Sequence, residues 1–473
     1  MKINNIGWLK TICVLQMIIF IFFSYELFQL NILSLGSYCV LIITLLLVNL
    51  MLFLGNKKYR FSKIVTVVYC VLMIVFVLYM NKSIQTLNEI TEVNNEVSKF
   101  SIIVLKDSDF QKVENLEGRK IQINTNYNAI EIGAMMNQLN ELICCNYCSE
   151  ANFINMATNL YNRDVDAILI NDAYLWVLEH KYEDFVEDTR VIWNYEYKTK
   201  REDIKKMAEV ENDCFNVFIS GIDAEGDVST VSRSDVNMLA TVNMATNQIL
   251  LTSIPRDYYV YISELKAKDK LTHAGLMGIN SSVSTLEDLL NIDINYYVKV
   301  NFTTLIMMVD ALGGIEIYSP YRIGKPGGAN YFESGTLLLN GERALRFCRE
   351  RYDLPNGDED RIKNQQRVFQ GMINKLISPA IITNYMGILD SVAGSFETNM
   401  STKEITDLLK EQLKTMKSWD VQSYSLTGTG SYFKGGAMMP DTELYYCIPD
   451  EKSVKKATDY INSMIDGEYI IVE

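Results

Sequence analysis

Asp223, Arg233, Asp235, Arg256 and Asp257 are the residues of this 473-residue chain whose types and spacing best suit chemistry. Between and before them run Phe215–Ser220, Val236–Val242 and Gln248–Ile254, each short, apolar and bounded by Gly, Asn, Asp or Ser. Such runs read as strands. Asn243–Asn247 is turn-like, so the second and third form a hairpin. If the first also pairs antiparallel with the second, the charged residues gather at one end of the sheet. Carboxylates and guanidiniums converging there are what an anionic substrate plus a divalent metal require.

A second charged group lies in LNGERALRFCRERY, Leu339–Tyr352. Read as extended, Leu345–Tyr352 puts Arg349 and Arg351 on one face and Arg346 and Glu350 on the other. Adjacent guanidiniums repel unless an anion lies between them, and their paired donors match phosphate. A surface strand laced with ion pairs is the plain alternative. Gln365, before the helical run Val368–Leu376, can hydrogen-bond a sugar or phosphate.

Other chemistries find little support. The chain has no G-x-S-x-G and no P-loop. Of two histidines, only His273 falls in the main domain, where a structural hydrogen bond is its commoner role. The net charge of −14 argues against nucleic acid, so an anion site must be a local arginine cluster. Cys145-x-x-Cys148 lacks a second pair at zinc spacing and reads as a local disulfide or buried thiols.

These residues must be positioned by a chain of several domains. Thr11–Leu30, Ile32–Leu54 and Ile64–Met80 are apolar runs of the length that crosses a bilayer, roughly 17–25 residues. Lys2, Lys10 and the loop residues Lys57, Lys58, Arg60 and Lys63 place the N-terminus and that loop in the cytoplasm. The third span then delivers everything after it outside the cell. Residues 1–82 are the membrane part and 83–99 a polar linker or helical stalk. Residues 100–200 form a small α/β accessory domain, similar in a general way to one lobe of a substrate-binding protein, and 205–473 form the main domain. There strands alternate with helices, as in an α/β sheet covered by helices. Phe302–Leu312 is a helix whose apolar face either lines a slot for a lipid chain or packs a core.

The motifs GID (Gly221–Asp223), RSD (Arg233–Asp235), SIPRD (Ser253–Asp257), KLTHAG, VDALGG (Val309–Gly314), LNGERAL and RFCRERY together resemble the LytR-CpsA-Psr family. The likeness covers Asn216–Phe369 and, less distinctively, the tail. Three spans and an accessory domain make it most similar to the capsule-type branch.

The resemblance implies an αβα sandwich around a central mixed sheet. It also implies a phosphotransferase that moves a glycan, capsular or another cell-wall polysaccharide, from polyprenyl pyrophosphate to peptidoglycan through a phosphodiester. Asp223 and Asp235 are then the ligands of Mg²⁺ (or Mn²⁺), and Arg233, Arg256, Arg349, Arg351 and Gln365 contact the pyrophosphate. Asp223, Asp235, Arg256, Arg349 and Arg351 form the catalytic set, with Asp235 or Asp223 as general base. Polysaccharide export proteins are expected partners. A membrane-anchored regulator that binds lipid-linked glycan without turnover is the alternative. Asn364 replaces an arginine frequent in the family, so one phosphate contact is missing or falls to Arg361. Ile222 stands in GID where a small polar residue is frequent.

Overall fold

The computed structural model describes residues 3–91, 95–200, 213–222, 228–378, 388, 395–415 and 417–473. The chain divides into two compact units, Met1–Glu92 with Thr304–Val421, and Val93–Thr303 with Gln422–Glu473.

Helices α1 (Ile3–Leu30), α2 (Leu35–Lys58) and α3 (Arg60–Thr91) open the first unit, and each is long and apolar enough to cross a membrane. The third continues well past Met80, so the stalk is helical through Thr91. Inside the bundle Gln16 donates to Asn49 and Asn49 donates to the Tyr69 hydroxyl, polar contacts that hold helices together where apolar burial gives no preference.

In the second unit, β1 (Asn95–Leu105), β2 (Lys120–Ile123), β3 (Asn146–Ser149), β4 (Ala167–Asn171) and β5 (Thr189–Lys200) form a mixed sheet in the order β3-β2-β4-β1-β5. Helices α4 (Ala129–Asn140), α5 (Phe153–Tyr161), α6 (Leu175–Lys181) and α7 (Phe185–Asp188) accompany it. Alternation along β1 divides the apolar residues between two cores. Phe100, Ile102 and Val104 join Met135 and Leu139 of α4, whereas Ile103 and Leu105 join Phe153, Met156 and Leu160 of α5. Among the described residues every cysteine is a free thiol, the half-buried Cys145 and Cys148 included. Burial first, with help from Glu117 and Cys144, pushes the Cys145 thiol up to about 11.

Next come β6 (Cys214–Ile222), β7 (Ser234–Asn243) and β8 (Gln248–Ile254), the three strands read from the sequence. Both pairings are antiparallel in the expected sense, Phe218 opposite Leu239 and Leu239 opposite Thr252. The hairpin β9 (Tyr259–Ile262) and β10 (Ala267–Lys270) leads to α8 (Leu271–Ala274) and α9 (Ile279–Leu290). Strand β11 (Tyr296–Asn301) then returns parallel to β6. The sheet is therefore mixed, and α9 buries Val283, Leu286 and Leu290 against Phe218, Leu239 and Leu250.

The first unit resumes within α10 (Phe302–Ala311) and continues through β12 (Ile315–Ser319), β13 (Gly335–Leu339), α11 (Gly341–Arg349), α12 (Asp358–Leu376), β14 (Phe396–Thr398) and α13 (Thr402–Thr415). Leu305, Val309 and Leu312 share one core with Ile315, Ile317, Phe347 and Val368. Leu305, Val309 and Leu312 of the apolar face of Phe302–Leu312 are thus core residues, while Phe302 and Met308 are half-buried. The turn after α1 and the end of α3 both touch α13: Asn31 donates to Asp407, and Thr402 donates to Asn88.

Strand β15 (Asp420–Ser425) crosses into the second unit, where β16 (Gly428–Phe433), β17 (Leu444–Pro449) and α14 (Glu451–Ile465) finish the chain. Ala457, Ile461 and Met464 of α14 complete the core over β6–β8.

Candidate functional site

The end of the β6–β8 sheet gathers most of the first charged set. Ile222 pairs with Ser234 and Gly221 with Val236, leaving Asp235 as the extra residue of a β-bulge. A bulge re-aims one side chain without disturbing the rest of a ladder. Behind it the Ser234 hydroxyl is buried and bonds Ser220 and Asn237. Asp235 Oδ2 accepts from Arg256 Nη1 at 2.9 Å, and Oδ1 accepts from the Thr272 hydroxyl at 3.0 Å.

Arg256 lies two residues past the end of β8, and its Nε is 3.6 Å from Asp257 Oδ2. Lys270, at the end of β10, holds the other Asp257 oxygen at 2.9 Å. Asp257 is therefore the brace of Arg256. Lys270 and Thr272 were not among the residues singled out, although both belong to the KLTHAG motif. Asp223 lies outside the described residues.

KLTHAG acts as a clamp. Leu271 N–H donates to the Tyr258 carbonyl and Thr272 N–H to that of Arg256. A Cβ on Gly275 would fall 2.7 Å from the Ser232 carbonyl oxygen and 2.8 Å from the Ser234 nitrogen. Only glycine lets this segment lie against the loop that carries Arg233. Gly275→Ala is expected to push that loop away, costing about 1–3 kcal/mol of stability and lowering activity more than melting alone predicts. Parallel melts and rate assays check this, and an unchanged rate would overturn the clamp.

His273 is buried, with Nδ1 2.9 Å from Asp269 Oδ1, and its ring stacks on Trp176 at 4.9 Å. Burial by itself raises the Asp269 carboxyl. His273 and the N–H groups of Met438 and Lys270 outweigh it and hold the group below its ordinary value. This is a structural pair, as the commoner role of histidine suggests.

Arg349, Arg351 and Gln365 belong to the first unit. Leu345–Tyr352 is not a strand: α11 runs through Arg349, capped by the Asn340 side chain on the Arg343 N–H. Helix wins because Ala344, Phe347 and Cys348 fall at helical spacing and are all buried. Glu350 ends the helix and is itself buried, its Oε1 accepting from the N–H groups of Arg351, Tyr352 and Asp353. Asn330 Nδ2 donates to Oε2 at 3.0 Å. Arg349 and Arg351 are thereby left exposed on either side of a buried carboxylate. Arg351 lies over the Tyr352 ring, 4.7 Å from its centroid. Gln365 is half-buried within α12 rather than at its start. Arg361 is tied to Asp358 at 2.6 Å, and the buried Asn364 accepts from Arg367.

Asp235 offers two hard oxygens, Oδ2 accepting from Arg256 and Oδ1 from Thr272, each with a lone pair to spare. That fits an oxygen-seeking divalent cation which keeps most of its waters. No group of three His, Cys, Asp or Glu suited to a metal occurs among the described residues.

Comparison with known proteins adds sequence relationships. The model of the LytR_cpsA_psr family matches residues 186–461, more than half the chain. A polyisoprenyl-teichoic acid–peptidoglycan teichoic acid transferase TagU of Enterococcus faecalis is 35% identical over 238 residues, 50% of this chain and 77% of that one. The protein of that name in Bacillus subtilis is 31% identical over 271 residues, 57% of this chain and 83% of that one. Among solved structures, TagU of B. subtilis covers 55% of this chain and all of its own at 30% identity, with a TM-score of 0.42. TagT bound to LIIa-WTA covers 55% of this chain and 94% of its own at 26% identity, with a TM-score of 0.45.

Proposed function

We propose, for a chain that belongs to the LytR-CpsA-Psr family, a transferase that moves a glycopolymer from a polyisoprenyl carrier to peptidoglycan. The observation that carries this reading is the bulge at Asp235, which holds a carboxylate against Arg256 and Thr272. Such a site needs little covalent chemistry. Phosphoryl transfer depends mainly on positioning and on neutralising charge.

In finer detail, the donor is a glycan on polyprenyl pyrophosphate. An acceptor hydroxyl of peptidoglycan attacks the phosphorus that bears the glycan, the bridging P–O bond breaks, and polyprenyl phosphate leaves as the acceptor proton is lost. Arg233 and Arg256 bind the pyrophosphate oxygens, Arg256 kept in orientation by Asp235 and Asp257. Arg349, Arg351 and Gln365 are assigned to the same substrate. Asp223 and Asp235 would hold Mg²⁺ or Mn²⁺, which when bound supplies positive charge to the phosphate oxygens.

The positive residues Lys57, Lys58, Arg60 and Lys63 support a cytoplasmic loop and an extracytoplasmic main domain. Capsular or another cell-wall polysaccharide is the proposed glycan, with polysaccharide export proteins as partners. The test incubates the full chain in detergent with lipid-pyrophosphate oligosaccharide, peptidoglycan and Mg²⁺. Glycan bound covalently to peptidoglycan, lost on chelation, is the expected result. Retention of the lipid-linked glycan with no transfer under any divalent ion would establish the regulator reading instead.

A further inference from the structure

The domain built on β1–β5 contributes a side chain to the charged edge of the β6–β8 sheet. Its second core does not stop at the domain: Ile103, Phe153, Tyr174, Val177 and Leu178 share one apolar cluster with Leu276, Met438 and Tyr446. Tyr174, just before α6, is buried and stacks on Phe153 at 4.8 Å. Helix α6 is thus held from both sides, and Trp176 lies in its first turn.

The Trp176 ring meets the two motifs that build the site. Its plane stacks on His273 of KLTHAG, 4.9 Å between centroids and 29° between planes. The Arg233 guanidinium carbon lies 5.1 Å from the Trp176 ring centroid. The indole N–H is buried and has no acceptor among the described residues, so ring contacts rather than a hydrogen bond set its place. Arg233 is half-buried, and cation–π attraction strengthens as water is removed. Trp176 also lies outside the 186–461 match, so nothing in the family pattern assigns it a role.

We infer that Trp176 is a positioning residue for Arg233: its aromatic face holds the guanidinium in the orientation that receives the pyrophosphate. This rests on the reading of Arg233 as a pyrophosphate ligand. The accessory domain is then a fixed wall of the transferase site.

The test uses the full chain in detergent, Mg²⁺ and farnesyl pyrophosphate as probe, with affinity measured by calorimetry. Trp176→Leu is expected to weaken binding about tenfold, the size of a partly desolvated cation–π contact, and Trp176→Phe less than about threefold. Trp176→Met, which keeps apolar volume without the aromatic face, is run beside Leu so that a melted variant does not decide the outcome. In an Arg233→Ala background, removing the ring should change affinity no further, the signature of direct coupling. Equal weakening with and without the guanidinium, or none in either, would overturn the proposal. If Arg233→Ala leaves affinity at the wild-type value, the pyrophosphate reading of Arg233 fails first and takes this inference with it.

Discussion

Arg256→Ala is expected to lower the rate of glycan transfer by about 150-fold, with a much smaller change in substrate affinity. Removing one preorganised charge donor from such a site costs about 3 kcal/mol of barrier. Arg256 is prepared for that role by two carboxylates, Nη1 on Asp235 and Nε near Asp257. A donor already held in place spends no reorganisation when charge develops. Lysine cannot reproduce this, because one ammonium cannot span both carboxylates as a fork does. Arg256→Lys should therefore recover little of the rate although it keeps the charge. Steady-state kinetics on the lipid-linked donor decide the matter. A full rate in Arg256→Lys would show that charge alone suffices and would remove the positioning argument.

Glu350→Ala is expected to lower both stability and turnover. The carboxylate is only 6% exposed and accepts from three consecutive backbone N–H groups and from Asn330. Its loss leaves those donors to find water in a half-closed turn, at about 1–3 kcal/mol. The turn carries Arg351, so its guanidinium loses a defined position as well. Glu350→Gln should recover most of the stability, since its carbonyl oxygen can receive the backbone donors while Asn330 turns its own oxygen to the new amide. Urea unfolding and transfer rates measured on both variants test this. Wild-type turnover in a destabilised Glu350→Ala would separate the turn from Arg351's function.

The strands of the main sheet were legible because their information is local. An apolar run bounded by Asn, Asp and Gly, and a turn at Asn243–Asn247, leave few other structures for β6, β7 and β8. Arg349 and Arg351 were harder. The alternation of charges in RFCRERY suited a strand, but the same residues place Ala344, Phe347 and Cys348 on one helical face. A short apolar pattern fits both periods, and packing against Leu305 and Val368 chose between them. Glu350 looked like one more surface charge, because nothing near it in sequence announces a buried acceptor.

By itself, the sequence determined the three apolar spans, the β6–β8 hairpin order and the grouping of Arg233, Asp235 and Arg256, since each follows from spacing along a short stretch. Tertiary structure decided which of those charges face one another. The bulge at Asp235 is a shift of one residue that leaves the apolar pattern unchanged. Lys270 reaches Asp257 through a hairpin, and Trp176 reaches Arg233 from a domain some 57 positions earlier in the chain. Contacts of that range depend on how separate cores close on one another, and no local periodicity encodes that.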